Sequence, residues 1–233
     1  MPTSNDQDAR LLTWLAQQLH DGQDVDDTVA RMLSQARTVA PGAHHVGVTV
    51  RARRGTYRSI GSTSPLARHL DDLQHESGEG PCVDAASPGG DDWSRSSHLG
   101  DDRRWPRWAA QAEAVGVRSV LCAQLLDRGE PFGAITLYSE DSGRFGEDDA
   151  VGLALLWIAQ AAIALSTARR TEGLQRAIDA RHTIGVAQGI LMQRLDLDEE
   201  AAFEHLLQLA STREEGIGVL AAKVVRTGDV PRH

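Results

Sequence analysis

The spacing of apolar and polar positions changes along this chain, and the changes divide it. Leu11, Leu12, Leu15 and Leu19 recur at helical spacing, and a second helical pattern runs from Val25 to Val39 with Asp24 or Asp26 placed to cap it. Short runs of β-branched and other apolar residues follow at Val46–Val50, Val117–Leu125 and Phe132–Tyr138, bounded by Gly, Pro and Asp. The last two are joined by Leu126, Asp127, Arg128, Gly129, Glu130 and Pro131, a turn-rich stretch that predicts a hairpin. Helical patterns return at Trp108–Val115 and Asp148–Ala168. Strands in the middle, helices at both ends and no regular alternation of the two predict an α+β fold around one antiparallel sheet.

Beyond Ala168 the period stays helical. Leu153, Leu156, Ala164 and Leu165 lead into Leu174, Ile178 and Ile184 with no proline and only Gly152 and Gly173 as weak interruptions, which predicts a long connecting helix. Within RHTIGVAQGILMQR (Arg181–Arg194), Ile184, Ala187 and Leu191 fall at i, i+3 and i+7. A further helix opens at Asp198, a cap for free amides, with Glu199 and Glu200 at its positive dipole end and Ala202, Phe203, Leu206, Leu209 and Ala210 as apolar positions. A last one places Ile217, Leu220, Ala221, Val224 and Val225 on a core-facing stripe ended by Gly228 and Pro231. Three short helices with short joins predict an all-α bundle.

At these residues a resemblance becomes specific. IGVAQGILM (Ile184–Met192), EEAAF (Glu199–Phe203) and LAAKVV (Leu220–Val225) resemble the ANTAR domain. The resemblance implies a three-helix RNA-binding module, over about residues 169–230, that acts in transcription antitermination. Periodicity alone would equally allow a dimerisation or docking bundle. Two positions depart from the family pattern: Gln188 and Gly216 stand where many relatives carry lysine. Over residues 172–233 seven basic side chains oppose ten acidic ones, so RNA contact there depends on local rather than net charge. Guanidinium groups bind phosphate bidentately and stack on unpaired bases. The candidate RNA-binding residues are therefore Arg181, Gln188, Arg194, Arg213, Lys223 and Arg226.

In the first part of the chain, GEGPC (Gly78–Cys82) followed by Asp84 and Ala85, then DDRRWPRW (Asp101–Trp108), GVRSVLCAQL (Gly116–Leu125) and PFGAITLYS (Pro131–Ser139), resemble a GAF sensor domain over about residues 8–168. The subgroup it resembles most is the one found in front of ANTAR modules in actinobacteria. The resemblance implies a pocket between the sheet and its crossing loops, which in different members holds cyclic nucleotides, haem, tetrapyrroles or nothing. The glycines at 78, 80, 89 and 90 mark the stretch Gln74–Ser97 as its cover, with His75, Cys82, Trp93 and His98 as candidate sensor-pocket residues. No cofactor is assigned, although an unknown small-molecule ligand is an expectation. Trp105 and Trp108, three apart across Pro106, read as anchors of a helix start.

Composition changes this picture at the edges. The chain has 233 residues, enough for two domains, with 24 basic and 33 acidic side chains and a formal charge of −9, which argues against general coating of nucleic acid. Two cysteines make no disulfide framework: Cys82 is a candidate redox switch and Cys122, in an apolar strand, reads as an inert buried thiol. No signal segment or membrane span is read, so a cytoplasmic location is expected. His182 on a helix after a sensor raises a histidine kinase, but no glycine-rich phosphate loop accompanies it, and Cys82 with His75 or His98 lacks the spacing of a hydrolase. The expectation is a non-enzymatic, homodimeric regulator that binds hairpins in leader transcripts. The alternative is a sensor whose C-terminal bundle docks a protein.

Overall fold

The computed structural model describes residues 4–52, 55–146 and 148–229, and it divides into two units meeting between Arg169 and Arg170. In the first unit α1 (Ser4–His20) precedes α2 (Val25–Val39), whose first turn is closed by Asp24: its carboxylate accepts the Asp27 backbone N–H at 2.8 Å. Val29, Met32, Ala36 and Val39 repeat at helical spacing and are all buried, so the expected stripe is the packed one.

The sheet holds five strands in the order β2-β1-β5-β4-β3: β1 (His45–Arg51), β2 (Tyr57–Ser62), β3 (Trp93–Ser96), β4 (Ser119–Asp127) and β5 (Glu130–Ser139). Every pairing is antiparallel. The turn between β4 and β5 is tighter than the sequence suggests. Arg128 (φ 53°) and Gly129 (φ 85°) occupy it as two left-handed residues, the pattern of a two-residue hairpin matched to strand twist. Both faces of the central strands are covered, which is why β1 is buried along its five inner positions instead of alternating.

One face packs on α1, α2 and the start of α6 (Asp148–Leu195), where Leu121, Leu125, Ile135 and Leu137 meet Met32, Trp157, Ile158 and Leu165. Trp157 Nε1 donates to Gln35 Oε1 at 3.0 Å, so each of these two buried polar groups satisfies the other. The other face carries α3 (Pro65–Ser77), α4 (Pro81–Ala86) and α5 (Pro106–Ala114). Ser64 caps α3 by accepting the Ala67 N–H at 3.1 Å, Pro65 starts it, and Gly78 ends it in the left-handed region at φ 63°. Trp105 and Trp108 are both buried at the start of α5 and meet edge to face at 5.9 Å.

The long connecting helix is one unbroken element of 48 residues. It is long and apolar enough to cross a membrane, but 56% of its apolar window is buried within the protein, as a core helix requires. In the second unit its last turns pack Ala187 and Leu191 against α7 (Glu199–Thr212) and α8 (Ile217–Thr227). Asp198 caps α7 through the Ala201 N–H at 2.8 Å, and Gly228 ends α8 at φ 64°. Two apolar positions expected in this core lie outside it: Phe203 and Val225 are exposed, because Ala202, Leu206, Leu220 and Val224 already fill the narrow space between the helices. Pro231 falls outside the described residues.

Candidate sensor site and nucleic-acid interface

The sensor-side chemistry is concentrated under α3. Asp71 and Gln74 occupy the same helical face as Ala67 and Leu70, so the helix brings a carboxylate and an amide down onto the sheet. Both are fully buried. Tyr138 of β5 donates its hydroxyl to Asp71 Oδ1 at 2.5 Å, and Ser59 of β2 donates to Oδ2 at 3.2 Å. Gln74 Nε2 donates to the Tyr138 oxygen at 2.8 Å while Gln74 Oε1 accepts the Cys82 backbone N–H at 2.8 Å. One network therefore ties α3, α4, β2 and β5 together, and every member has a partner.

Glycine is required twice around it. A Cβ at Gly47 of β1 would collide with the Asp71 carboxylate, and one at Gly80 would collide with the Gln74 side chain. Gly80 also sits at φ 139°.

Burial pushes the Asp71 carboxyl up to about 7, against the downward pull of the hydrogen bonds from Tyr138 and Ser59. The Tyr138 hydroxyl is raised well above its ordinary value, first by burial and then by the Asp71 charge. His75 lies at the outer side of this network, half-buried, its Nε2 3.2 Å from Thr49 Oγ1 and its ring stacked on Tyr57 at 5.7 Å. Burial lowers its pKa, so the neutral imidazole is favoured.

The four candidate pocket residues do not converge. His75 and Cys82 are on the α3–α4 side of the sheet. Trp93 is on β3, 40% exposed, over a cleft of about 380 Å³ on the α6 side, formed with Leu126, Leu155, Ile158, Ala162 and Ile163. His98 is exposed past the end of β3, its Nδ1 3.1 Å from Ser97 Oγ. The stretch Gln74–Ser97 is not an open cover either: it contains the end of α3, all of α4 and β3. Cys82 is fully buried and its thiol is pushed well up by burial, with the Asp71 charge adding to it. Burial likewise pushes Cys122 up to about 12, so a redox role for Cys82 loses both access and thiolate. Among the described residues no group of three or more His, Cys, Asp or Glu is placed to hold a metal ion.

In the second unit the RNA candidates separate by what already engages them. Lys223 Nζ donates to both oxygens of Glu215, at 2.6 and 2.8 Å. Gln188 Nε2 donates to the Glu199 backbone carbonyl at 3.3 Å, so the residue standing for a family lysine joins α6 to the start of α7. Gly216, the other, is the N-cap position of α8 with no side chain to offer. Arg213 is the exposed C-cap residue of α7, and Arg181 is exposed on α6. Arg194 and Arg226 are exposed and share one end of the bundle: an Arg194 nitrogen lies 3.7 Å from where a Cβ would stand on Gly228, two residues beyond Arg226. That end also collects the negative pole of α8, which attracts arginine.

Sequence reasoning missed Asp71, Gln74, Tyr138 and Ser59. The legible sign was two polar residues at the inward positions of an otherwise apolar helical face.

Residues 22–166 match the family model of the GAF domain, and residues 172–225 match that of the ANTAR domain. No curated protein matches. Among solved structures, the GAF domain of an Acinetobacter phosphoenolpyruvate-protein phosphotransferase superposes with a TM-score of 0.56 at 13% identity, covering 74% of this chain and 99% of that one. A domain of a two-component sensor histidine kinase protein from Sinorhizobium meliloti gives 0.51 at 17% identity, covering 64% and 95%. The photosensory core module of a Stigmatella aurantiaca phytochrome gives 0.59 at 11% identity, covering 95% of this chain and 47% of that one. At these identities the likeness is one of fold.

Proposed function

We propose that this chain, which belongs to the GAF-domain family and carries a C-terminal ANTAR domain, is a cytoplasmic, non-enzymatic regulator that reads a signal in its first domain and binds leader-transcript hairpins with its second to control termination. The observation that carries this reading is α6: a single helix begins in the core of the GAF domain and ends in the core of the ANTAR bundle. A sensor and an output sharing one helix have a direct mechanical connection, and no catalytic group is needed to use it. The domain limits proposed are residues 8–168 and 169–230.

Arg194 and Arg226 are the leading phosphate contacts, because they share one end of the bundle, whereas Lys223 is already closed by Glu215. Arg181, Gln188, Arg213 and Lys223 are secondary candidates. Self-association through the exposed apolar positions of α6 completes the reading, with two bundles presented per dimer.

Ultraviolet crosslinking in cells, followed by sequencing of the attached RNA, tests it. Enrichment of a few leader transcripts with paired hairpins, lost in Arg194→Glu/Arg226→Glu, is expected. Equal recovery from both proteins would end the RNA assignment. A protein-docking role is favoured by one observation, the closure of Lys223 by Glu215. Salt separates the two, since phosphate binding weakens steeply with ionic strength and an apolar interface does not.

A further inference from the structure

On its α3 side the sheet is closed by Asp71, Gln74 and Tyr138, which satisfy one another. On its other side, beside β3 and β4, the surface stays open. Leu155, Ile158, Ala159, Ala162 and Ile163 recur at i, i+3, i+4, i+7 and i+8 of α6 and form one wall of a cleft of about 380 Å³. That volume falls within the range of small-molecule sites, roughly 300–1,000 Å³. The depth comes from small residues, since Ala123 of β4 and Ala162 of α6 are only 4% and 5% exposed. The rim is large and apolar: Trp93 is 40%, Leu126 38% and Ile163 50% exposed. Three such side chains left uncovered around a buried floor mark a recognition surface.

One end of the cleft is polar and acidic. Gln124 donates its side-chain amide to Asp92 Oδ1 at 2.6 Å and its backbone N–H to the Asp92 carbonyl at 2.9 Å. The carboxylate is thereby positioned before any ligand arrives, which lowers the entropic cost of binding to it. Asp92 is the single charged side chain in the lining among the described residues, and Asp91 beside it adds to the negative field. Arg95 lies over the Trp93 ring at 5.7 Å, but it lines a separate depression with His98 and Asp102.

We propose that this cleft binds a small molecule made of a flat apolar ring system and a protonated amine, with the rings against Trp93 and the amine on Asp92. A carboxylate with one oxygen engaged by Gln124 accepts an ammonium N–H at the other. An acid of the same shape is rejected, because its charge would be set against that of Asp92. The inference rests on the sensor role proposed above and names the ligand class and its place. Occupation would also bear directly on the signal's route, since the wall it fills against belongs to the helix that continues into the bundle.

The test uses full-length protein labelled with fluorotryptophan. Trp14, Trp93, Trp105, Trp108 and Trp157 give five fluorine NMR resonances, and Trp93→Phe identifies the one at the cleft. Naphthylmethylamine is the probe, and naphthylacetate, with the same rings and the opposite charge, is its control. A saturable shift of the Trp93 resonance with the amine is expected, with Trp105 and Trp108, buried on the α3 side of the sheet, unmoved. Ala159→Phe fills the cleft from an exposed position of α6 and should abolish the shift while the Trp105 and Trp108 resonances keep their places. Asp92→Asn should weaken amine binding about fivefold or more and remove the preference over the acid. No saturable shift by about 1 mM amine would overturn the proposal. Equal binding of amine and acid would overturn it too, as would binding that survives Ala159→Phe. A Trp93 resonance that moves on dilution and ignores the amine would assign the cleft to a second copy of the chain instead. RNA recovery in cells is scored separately, so the sensor reading and this site can fail independently.

Discussion

A carboxyl enclosed by Tyr138, Ser59 and the Gly47 backbone is easier to keep neutral than charged, and the consequence can be followed with pH. Asp71 is raised from 3.8 to about 7 in the folded protein, so between those values the native state holds a proton that the unfolded chain has released. Stability from this group is therefore full near pH 4, falls as pH rises and is gone above about 7. His75 works the other way: its lowered pKa removes stability as pH drops below the unfolded value of 6.5. The two are separated by Asp71→Asn, which retains an acceptor for Tyr138 and removes the charge. Urea unfolding should show the variant gaining on the wild type from pH 5 to pH 8, by an amount on the order of a few kcal/mol. An unchanged difference across that range would show that Asp71 does not titrate in the fold. Gly47→Ala should destabilise by about 1–3 kcal/mol through its collision with the same carboxylate, and by clearly less in an Asp71→Ala background, where the obstruction is gone.

Elements were legible in the sequence in proportion to how cleanly one face was apolar. α2, the β4–β5 hairpin, the start of α5 and the three-helix bundle follow from period, caps and turn residues, and the structure has them. α3 escaped because Asp71 and Gln74 occupy its inward face, so the buried polar network also hides the helix that carries it. β2 and β3 escaped for another reason: YRSIGS is half-covered and polar, and WSRS is four residues long, too short for a period to show. The local signals for α3 were nevertheless present in Ser64, Pro65 and Gly78. Ser64→Ala removes the acceptor for the Ala67 N–H and should lower stability by about 1 kcal/mol, read as a shift in the urea midpoint at unchanged slope. At the site level, His75 and Cys82 stand beside the Asp71 and Gln74 network, whereas Trp93 and His98 lie away from it. A sequence gives strand order only indirectly, and the two faces of β3 and β4 decide which side chains can meet.

A helix shared by two domains makes their coupling a question of phase. Each residue turns an α-helix by about 100°, so seven inserted residues return a face to within about 20° of its original direction, whereas four displace it by about 40° and two by about 160°. Insertions of alanine between Arg169 and Arg170 leave the core of the first domain and the core of the helical bundle chemically intact and change the turn between them. If the sensor acts through α6, two inserted residues should abolish signal-dependent RNA recovery in cells, while seven should preserve most of it. Both variants should remain folded, because the contacts of Ser166 with Asp127 at 2.8 Å and of Arg169 with the Phe132 ring at 4.3 Å lie before the insertion. A passive tether predicts something different: two and seven residues would be tolerated alike, since added length matters and phase does not. The comparison is internal to one protein in one cell, so neither the identity of the signal nor that of the transcript has to be known for the outcome to separate transmission from tethering.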